Sequence, residues 1–252
     1  MNEPTISIAI ITLNEENNIS RCLKSVRWAD EIVVADSGSK DATAIIAREF
    51  GADVYEIEFH DFSQAKQEAI DRCTSDWVLV LDADEEISIE LQNKIQSLLR
   101  NPDAADGYKI KRIAEFLGKK MHYGEWGSDY PTRLFRRESG KMNGARIHES
   151  VLVQGKVERI NEPMYHYPYS SMNEYSQKIN RYSQLVAEEM VEKGRRVTFF
   201  DIFSHSGFKF FQSYILKAGF MDGRRGLLLA CYLTHYVMLK YTKAWEMLKI
   251  NK

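Results

Sequence analysis

The chain has 252 residues, of which 44% are hydrophobic, so it can bury one substantial core, or one core and a smaller appendage. Its net charge of −2 is too close to neutral for a dedicated nucleic-acid-binding protein. The charge is nevertheless divided, because residues 1–154 carry a net of −8 (19 Lys and Arg, 27 Asp and Glu) and residues 155–252 carry a net of +6 (15 against 9).

Strand and helix patterns alternate over the first 100 residues. Apolar, β-branched runs predict strands at TISIAIIT (5–12), EIVVA (31–35), VYEIEF (54–59) and WVLVL (77–81). Helix patterns follow each run: one capped by Asn14 with Glu15 and Glu16 in its first turn, one over residues 44–50, one marked by Ala65 to Cys73, and one marked by Leu91 to Leu99. This order predicts an α/β fold with a mostly parallel sheet and helices on both faces.

Polar residues follow three of these predicted strands at the point where each strand ends. They are Thr12-Leu13-Asn14-Glu15, Asp36-Ser37-Gly38-Ser39 and Asp82-Ala83-Asp84. Turns favour such residues in any protein, but ligands of open parallel sheets bind at the carboxyl ends of the strands. Three polar strand ends in one sheet therefore favour a ligand site.

The Asp-x-Asp pair after the fourth strand suits a hard divalent cation. Mg²⁺ and Mn²⁺ prefer oxygen ligands, and they commonly keep waters and substrate phosphate oxygens in their coordination shell. Asp82 and Asp84 would supply part of such a site and a diphosphate would complete it. Glu85 and Glu86 are interpreted as acids in the first turn of the next helix.

TLNEE, DSGSKDAT and LDADEEI, each after its strand, together resemble the family 2 glycosyltransferases, which have a GT-A (Rossmann-like) fold. The resemblance implies a nucleotide-diphosphate-sugar donor, a Mg²⁺ or Mn²⁺ ion and inversion at the sugar carbon. By position it places Thr12, Leu13, Asn14 and Glu15 along the nucleotide pocket, Asp36 at the uracil ring, Lys66 near the base or diphosphate, Asp82 at the ribose or metal, Ala83 beside the donor, and Asp84 on the metal.

Two later segments resemble the WaaE/KdtX-type lipopolysaccharide core glucosyltransferases: RLFRRESGKMNGARIHESV (133–151) and KAGFMDGRRGLLLA (217–230). This resemblance implies transfer of glucose from UDP-glucose to an inner-core heptose. It also implies a GT-A domain over residues 1–162, with a nucleotide-sugar part (1–100) and an acceptor part (101–162), and a helical extension over 163–252. Two alternatives stay open: a polyprenyl phosphate or other cell-envelope glycan as acceptor, or a non-catalytic signalling domain that binds a nucleotide and Mg²⁺.

An inverting transfer needs a carboxylate that takes the proton of the acceptor hydroxyl. The Glu-Asp pair and the Gln-x-x-Arg-Trp motif that supply it in many family 2 members are missing. Glu149 is the predicted base, with His148 touching the metal or diphosphate, and Asp129 is the second candidate. The structural alternative for His148-Glu149 is a hydrogen-bonded turn beside Arg146.

The arginine-rich stretch RLFRR offers groups suited to a phosphate or a carboxylate. Arg133 is a candidate contact to the diphosphate or the acceptor. If the stretch is a strand, Arg133 and Arg137 share one face and Arg136 points the other way.

The basic C-terminal part is rich in aromatic residues. Tyr175, Ile179, Tyr182, Val186 and Met190 recur at helical spacing, and Lys193-Gly194 indicates the helix end. Residues 199–245 contain twelve aromatics interleaved with Lys and Arg, and GLLLACYLTHYVML is too short to span a bilayer. An amphipathic helix pair on an anionic membrane surface is one interpretation, and packing on the GT-A domain or on another subunit of a homo-oligomer is the other.

The predicted location is the cytoplasm, at the inner face of the inner membrane. MNEPTISIAI reaches its apolar run without a basic n-region, so no signal peptide is expected. Cys22, Cys73 and Cys231 have no zinc or disulfide spacing, and their apolar helical surroundings predict small core residues in a reducing compartment.

Overall fold

The computed structural model describes residues 3–127, 129–145, 148–169 and 171–250. The chain forms two compact units: Met1–Arg112 with Asp129–Tyr167, and Ile113–Ser128 with Pro168–Lys252. The predicted boundary between residues 162 and 163 stays a prediction, and residues 113–128 cluster with the C-terminal part.

Over residues 6–82 the strands and helices alternate as read from the sequence, a short extra strand then precedes the fourth helix, and further strands follow it. The strands are β1 (Ile6–Thr12), β2 (Glu31–Asp36), β3 (Asp53–Glu56), β4 (Trp77–Asp82), β5 (Glu85–Ile87), β6 (Gly107–Phe116), β7 (Lys119–Lys120), β8 (Thr132–Arg136), β9 (Gly140–Met142), β10 (Val151–Val153) and β11 (Val157–His166). The helices are α1 (Ile19–Ser25), α2 (Thr43–Glu49), α3 (Phe62–Asp71), α4 (Ile89–Leu99), α5 (Met172–Glu192), α6 (Phe199–Phe211) and α7 (Gly223–Ile250).

The main sheet of the first unit has the order β3-β2-β1-β4-β8-β6-β11-β5. The first four of these strands are parallel to one another, and β8 joins β4 in the antiparallel sense. β6 then pairs antiparallel with β8, and β5 pairs antiparallel with β11. The predicted α/β fold is confirmed, and its parallel half is extended by antiparallel strands into a mixed sheet.

Helices cover both faces of the parallel half, as β4 illustrates. Leu79 and Leu81 are fully buried in a core that includes residues of α1 and α4, while Val78 and Val80 are fully buried in a second core with residues of α3. Because side chains alternate along a strand, a continuous apolar run supplies both cores. Each fully buried leucine contributes about 1.5–3 kcal/mol through loss of its contact with water.

The predicted cap at Asn14 is wrong, because α1 begins only at Ile19. Asn14 has a φ of 55°, in the left-handed region, and therefore cannot start a helix there. Its backbone NH donates to Ser39 Oγ (2.9 Å) and its side-chain oxygen accepts from the Lys40 NH (2.9 Å). Asn14 thus joins the loops after β1 and β2.

The predicted shared face of Arg133 and Arg137 is also wrong, since β8 ends at Arg136. Arg137 lies in a 3₁₀ turn and its Nε donates to the Ser75 carbonyl (2.9 Å). Arg136 stacks over the Trp77 ring at 4.6 Å. Both arginines therefore pack locally against the segment that leads into β4.

Two of the three cysteines are core residues as predicted, since Cys22 and Cys73 are buried. Burial raises the pKa of the Cys22 thiol well above its ordinary value and that of Cys73 to about 12. Cys231 is exposed, so its prediction as a core residue is wrong.

The second unit is built mainly from α5, α6 and α7. The predicted end of α5 is confirmed: Lys193 follows the last helical residue, and Gly194 has a φ of 67°, which glycine adopts without strain. A π turn (Gln212–Leu216) and a 3₁₀ turn (Gly219–Asp222) connect α6 to α7. In the part of the chain that the structure describes, no helix has the length and apolar character needed to cross a bilayer.

Candidate active site

Three parallel strands bring the predicted nucleotide-binding residues to one edge of the sheet. Thr12 pairs with Asp36 across β1 and β2, and Ile11 pairs with Asp82 across β1 and β4. The carboxyl ends of the three strands therefore lie side by side, as the sequence predicts. Leu13, directly after β1, has 46% of its surface exposed.

Asp36 is buried at the end of β2 and is oriented by its own turn. Its carboxylate accepts hydrogen bonds from the Ser39 NH (3.2 Å) and from Ser39 Oγ (2.5 Å). Thr12 Oγ1 is buried beside it and has no hydrogen-bond partner among the described residues. A buried hydroxyl of this kind is a polar group that a ligand can satisfy.

The loop after β1 is fixed to the start of α2. The Glu15 NH donates to Thr43 Oγ1 (2.8 Å), and the Glu15 carboxylate accepts from Asn18 Nδ2 (2.8 Å). Together with the bonds of Asn14, these contacts give the edge of the sheet a preformed, polar rim.

Asp82 lies between two cations. Lys66 Nζ is 3.0 Å from Oδ1, and Arg133 donates to Oδ2 at 2.8 Å. Burial of this carboxyl raises its pKa, but the positive charges of Lys66 and Arg133 outweigh burial and hold the pKa of Asp82 well below its ordinary value. Asp82 is therefore ionised throughout the neutral range.

Glu85 is a core residue of the site, so its interpretation as a helix N-terminal acid is wrong. Both Glu85 and Glu86 lie in β5, which pairs with β11, and α4 begins only at Ile89 with Ser88 as its cap. Glu85 is 1% exposed and accepts from Arg133 (2.7 Å) and Arg112 (3.1 Å).

Arg112 extends this buried network to Asp129. Its Nε donates to Asp129 Oδ2 at 2.7 Å, and a second guanidinium nitrogen contacts the same oxygen. Burial lowers the pKa of the Arg112 guanidinium, but the negative charges of Glu85, Asp129 and Asp82 together outweigh burial and raise that pKa. Asp129 is thus held by an arginine on β6.

Asp84 meets a histidine that sequence reasoning missed. His166 Nε2, at the end of β11, lies 3.2 Å from Asp84 Oδ2. The Tyr167 NH donates to the Asp84 carbonyl (2.9 Å), and its hydroxyl donates to Glu86 (2.8 Å). Ala83, between the two aspartates, is 2% exposed and donates its NH to the Ile11 carbonyl (3.2 Å).

Glu149 is brought to the donor residues through a shared lysine. Lys66 Nζ, already bound to Asp82, lies 3.3 Å from Glu149 Oε1. His148 has a φ of 63° and its carbonyl accepts from Asn143 Nδ2 (3.3 Å). Arg146, which the structural alternative invoked, lies outside the described residues. Among the described residues, Glu149 contacts the strand-end cluster and the His148 ring does not.

A divalent cation would find one carboxylate–imidazole donor pair in this cluster. A carboxylate oxygen and an imidazole nitrogen both bind Mn²⁺-type ions, and Asp84 and His166 present this pair 3.2 Å apart. The described residues contain no group of three or more His, Cys, Asp and Glu arranged for a metal. Such an ion would therefore need waters or phosphate oxygens as further ligands.

The residues missed by sequence reasoning are Glu85, Arg112 and His166. Arg112 and His166 lie on β6 and β11, which join the site through antiparallel pairing over long sequence separations. The sequence does contain one local signal for Glu85. Ser88 is a good N-cap residue and its hydroxyl accepts from the Leu91 NH, so the helix begins after Ser88 and both glutamates precede it.

Comparison with known proteins relates the chain to sugar-transferring enzymes. The family model described as Glycosyl transferase family 2 matches residues 7–148. The uncharacterized glycosyltransferase RC0292 of Rickettsia conorii is 30% identical, over 96% of this chain and 90% of the relative. The lipopolysaccharide core biosynthesis glycosyltransferase LpsC of Rhizobium meliloti is 27% identical, over 96% and 92%.

Solved structures share the fold at low sequence identity. Glucosyl-3-phosphoglycerate synthase from Mycobacterium tuberculosis, in complex with Mn²⁺, UDP and glucosyl-3-phosphoglycerate, has a TM-score of 0.51 and 18% identity, covering 77% of this chain and 82% of its own. S. aureus TarS 1-349 in complex with UDP has a TM-score of 0.50 and 14% identity, covering 98% and 92%.

Proposed function

The chain belongs to glycosyl transferase family 2, and on that premise we propose that it transfers glucose from UDP-glucose to an inner-core heptose of lipopolysaccharide, with inversion at the transferred carbon. The match to a relative named for lipopolysaccharide core biosynthesis supports the acceptor. A neighbouring structure that holds Mn²⁺ and UDP supports the donor class.

One observation carries the proposal: Thr12, Asp36 and Asp82 stand side by side at the carboxyl ends of three parallel strands. Ligands of open α/β sheets bind at this edge. Asp36 accepts a hydrogen bond from the uracil ring in this proposal, and Thr12 to Glu15 line the nucleotide.

Asp84 and His166 would hold Mg²⁺ or Mn²⁺ together with the donor diphosphate. A bound ion neutralises the negative charge that grows on the leaving diphosphate. Lys66 and Arg133 hold Asp82 between them, and the low exposure of Arg133 (5%) supports a role in positioning Asp82 in preference to a direct contact with the diphosphate.

The chemical step moves one proton and exchanges one bond. The acceptor oxygen bonds to the anomeric carbon, the bond from that carbon to the diphosphate breaks, UDP leaves, and the hydroxyl proton passes to a carboxylate. We assign that carboxylate to Glu149. Lys66 joins Glu149 directly to Asp82, whereas Asp129 reaches the donor cluster only through Arg112 and Glu85.

The protein is further proposed to work at the cytoplasmic face of the inner membrane. Large apolar side chains are exposed along α6 and the turns that follow it: Phe199, Phe200, Phe203, Phe208, Phe211, Ile215, Leu216, Phe220 and Met221. Basic residues lie at both ends of this exposed segment, with Arg195 and Arg196 before it and Arg224 and Arg225 after it. Aromatic insertion beside basic residues is the pattern of helices that lie on anionic bilayers.

The direct test is release of UDP from a series of UDP- and GDP-sugars, with truncated lipopolysaccharides as acceptors and with or without Mn²⁺. We expect metal-dependent release with UDP-glucose and a heptose-terminated acceptor. Transfer to a polyprenyl phosphate in its place would contradict the acceptor, and absence of release with every donor would favour a binding protein.

A further inference from the structure

A groove between α6 and α7 has no part in the proposed sugar transfer, yet it combines aromatic rings with lysines. Its cavity has a volume of about 280 Å³. The lining residues are His205, Phe208 and Lys209 of α6 and Leu233, Tyr236, Val237, Lys240 and Tyr241 of α7. Their spacing of three or four residues on each helix means that the groove follows the line along which the two helices pack.

Lys240 is the central cation of the groove. Its Nζ lies 5.5 Å from the ring centroid of Tyr236 and 5.6 Å from that of Tyr241, within the range of a cation–π contact. Among the described residues no carboxylate forms an ion pair with it. Burial, together with the charges of Arg195 and Lys209, lowers the pKa of Lys240. The protein therefore places this charge among like charges.

Two carboxylates of the second unit, Glu125 and Asp201, are engaged with other partners. Glu125 pairs with Lys209 (2.9 Å) and with Lys217 (3.1 Å). Asp201 accepts from the Thr198 NH at 2.7 Å, as the third residue of the capping box in which Thr198 is the N-cap of α6.

Arg195 adds a further cation at the tyrosines. One of its guanidinium nitrogens donates to the Tyr241 hydroxyl at 2.9 Å, and its carbon lies 5.3 Å from that ring. His205 stacks on the Tyr241 ring, with ring centroids 4.5 Å apart and ring planes at 7°. Tyr241 thus contacts two cations, Arg195 and Lys240, while Asp201 Oδ1 lies 3.9 Å from His205 Nε2.

We propose that this groove binds a phosphate ester, with Lys240 as the main contact to the phosphate. Lysine is a point charge with three donors and suits phosphate oxygens. The tyrosine rings and Phe208 offer apolar surface to the group that carries the phosphate. The site lies wholly in the second unit and uses none of the donor residues. A test of phosphate binding in the groove is therefore independent of a test of sugar transfer.

Two sources of a phosphate ester fit this chemistry, a phosphorylated sugar and a phospholipid headgroup. Calorimetric titration of the full-length protein with glucose 6-phosphate, with dihexanoyl phosphatidylglycerol below its micelle concentration, and with glucose separates them. We expect one of the phosphate probes to bind and glucose not to bind. Tighter binding of glucose 6-phosphate assigns the groove to a sugar phosphate, and tighter binding of the lipid assigns it to a headgroup.

Variants place the binding in the groove. Lys240→Gln is expected to raise the dissociation constant of the phosphate probe about tenfold, because the variant loses one charge-assisted hydrogen bond. Lys240→Arg and Lys249→Gln, an exposed lysine on the same helix, are expected to bind as the native protein does. If circular dichroism shows that Lys240→Gln is unfolded, Lys240→Met, which keeps the aliphatic packing, takes its place. Equal affinity of the native protein and the folded Lys240 variant overturns the proposal, as does failure of both phosphate probes to bind.

Discussion

His166 Nε2 lies 3.2 Å from Asp84 Oδ2, so the last residue of β11 meets the second aspartate of the Asp-x-Asp pair. The neighbouring Asp82 is instead occupied by Lys66 and Arg133. The two aspartates of one motif therefore have different partners: one faces an imidazole that can share a cation, and the other is neutralised by the protein's own cations. This division gives each of them a separate test.

His166→Gln is expected to raise the Mn²⁺ concentration needed for half-maximal activity by roughly 10–100-fold, the range typical of a disturbed metal site. The maximal rate at saturating Mn²⁺ should fall less, because Asp84 remains. The measurement is donor turnover against Mn²⁺ concentration, checked by the paramagnetic signal of bound Mn²⁺.

The matched control is His148→Gln, the histidine that the sequence assigned to the metal or diphosphate. His148 has no contact with Asp84 among the described residues, so its variant should leave the Mn²⁺ dependence unchanged. If His148→Gln raised the Mn²⁺ concentration for half-maximal activity and His166→Gln did not, the metal ligand would be His148 and the proposal for His166 would be wrong.

Glu149→Gln is expected to lower turnover by about 10²–10⁴-fold when donor and acceptor are saturating, which is the usual contribution of a general base. Glutamine keeps the shape of the side chain and can still contact Lys66, but it cannot accept the proton. Asp129→Asn is the control, expected to reduce turnover far less because Asp129 reaches the donor cluster only through Arg112 and Glu85. If Asp129→Asn lost more turnover than Glu149→Gln, the base would be assigned to Asp129.

Glu85→Gln is expected to lower the free energy of unfolding by about 3–5 kcal/mol, the cost of removing one partner from a buried ion pair. Glu85 is 1% exposed and bridges Arg133 and Arg112, so its neutral variant removes one of two carboxylate charges from each guanidinium and leaves only Asp82 for Arg133 and Asp129 for Arg112. Urea unfolding measures the loss. The control Glu90→Gln, exposed in the first turn of α4, should cost less than about 1 kcal/mol.

The low pKa of Asp82 in the folded chain predicts how the free energy of unfolding changes in acid. Its pKa in the folded chain is held well below that of an unfolded chain, about 3.9. Its contribution is complete above that unfolded value, and below it the unfolded state binds a proton that the folded state does not, so stability falls until the folded pKa is reached.

The measurement is the free energy of unfolding as a function of pH below about 4, compared with Asp82→Asn. The variant is expected to be less stable at neutral pH and to lose stability less steeply as the pH falls. The two slopes of unfolding free energy against pH should differ by at most the value that corresponds to one proton taken up on unfolding. Parallel curves for the two proteins would show that Asp82 does not carry this dependence.

The sequence predicted the parallel half of the sheet well because both faces of that half are buried. A strand such as WVLVL needs apolar residues at every position, and that pattern is visible without knowledge of its neighbours. The polar residues at the ends of β1, β2 and β4 then come together by topology alone, since parallel strands end on one edge.

The other half of the site depends on pairing that leaves little local trace. β5 has three residues and exists because β11, nearly 80 residues later in the chain, pairs with it: Glu85 with His166, and Ile87 with Met164. An acidic pair before Ser88 fits the start of a helix equally well by local preference, so tertiary pairing decided the outcome. Arg112 likewise entered the site only through the position of β6.

The exposed phenylalanines of α6 give the membrane proposal its test. Phe200 and Phe203 are 76% and 55% exposed, and a bilayer would remove this surface from water. Full burial of such a side chain contributes about 1.5–3 kcal/mol, so each Phe→Ser change is expected to weaken binding to anionic vesicles by roughly tenfold or more. Co-sedimentation with phosphatidylglycerol vesicles measures this. Ile45→Ser, an apolar residue with similar exposure (60%) on α2, is the control and should bind normally.

Added salt should weaken the binding of the native protein to anionic vesicles, because the arginines that flank the exposed segment contribute to that binding. Equal binding to neutral and anionic vesicles would remove the electrostatic part, and loss of self-association in the Phe variants with unchanged vesicle binding would assign this face to a second copy of the chain.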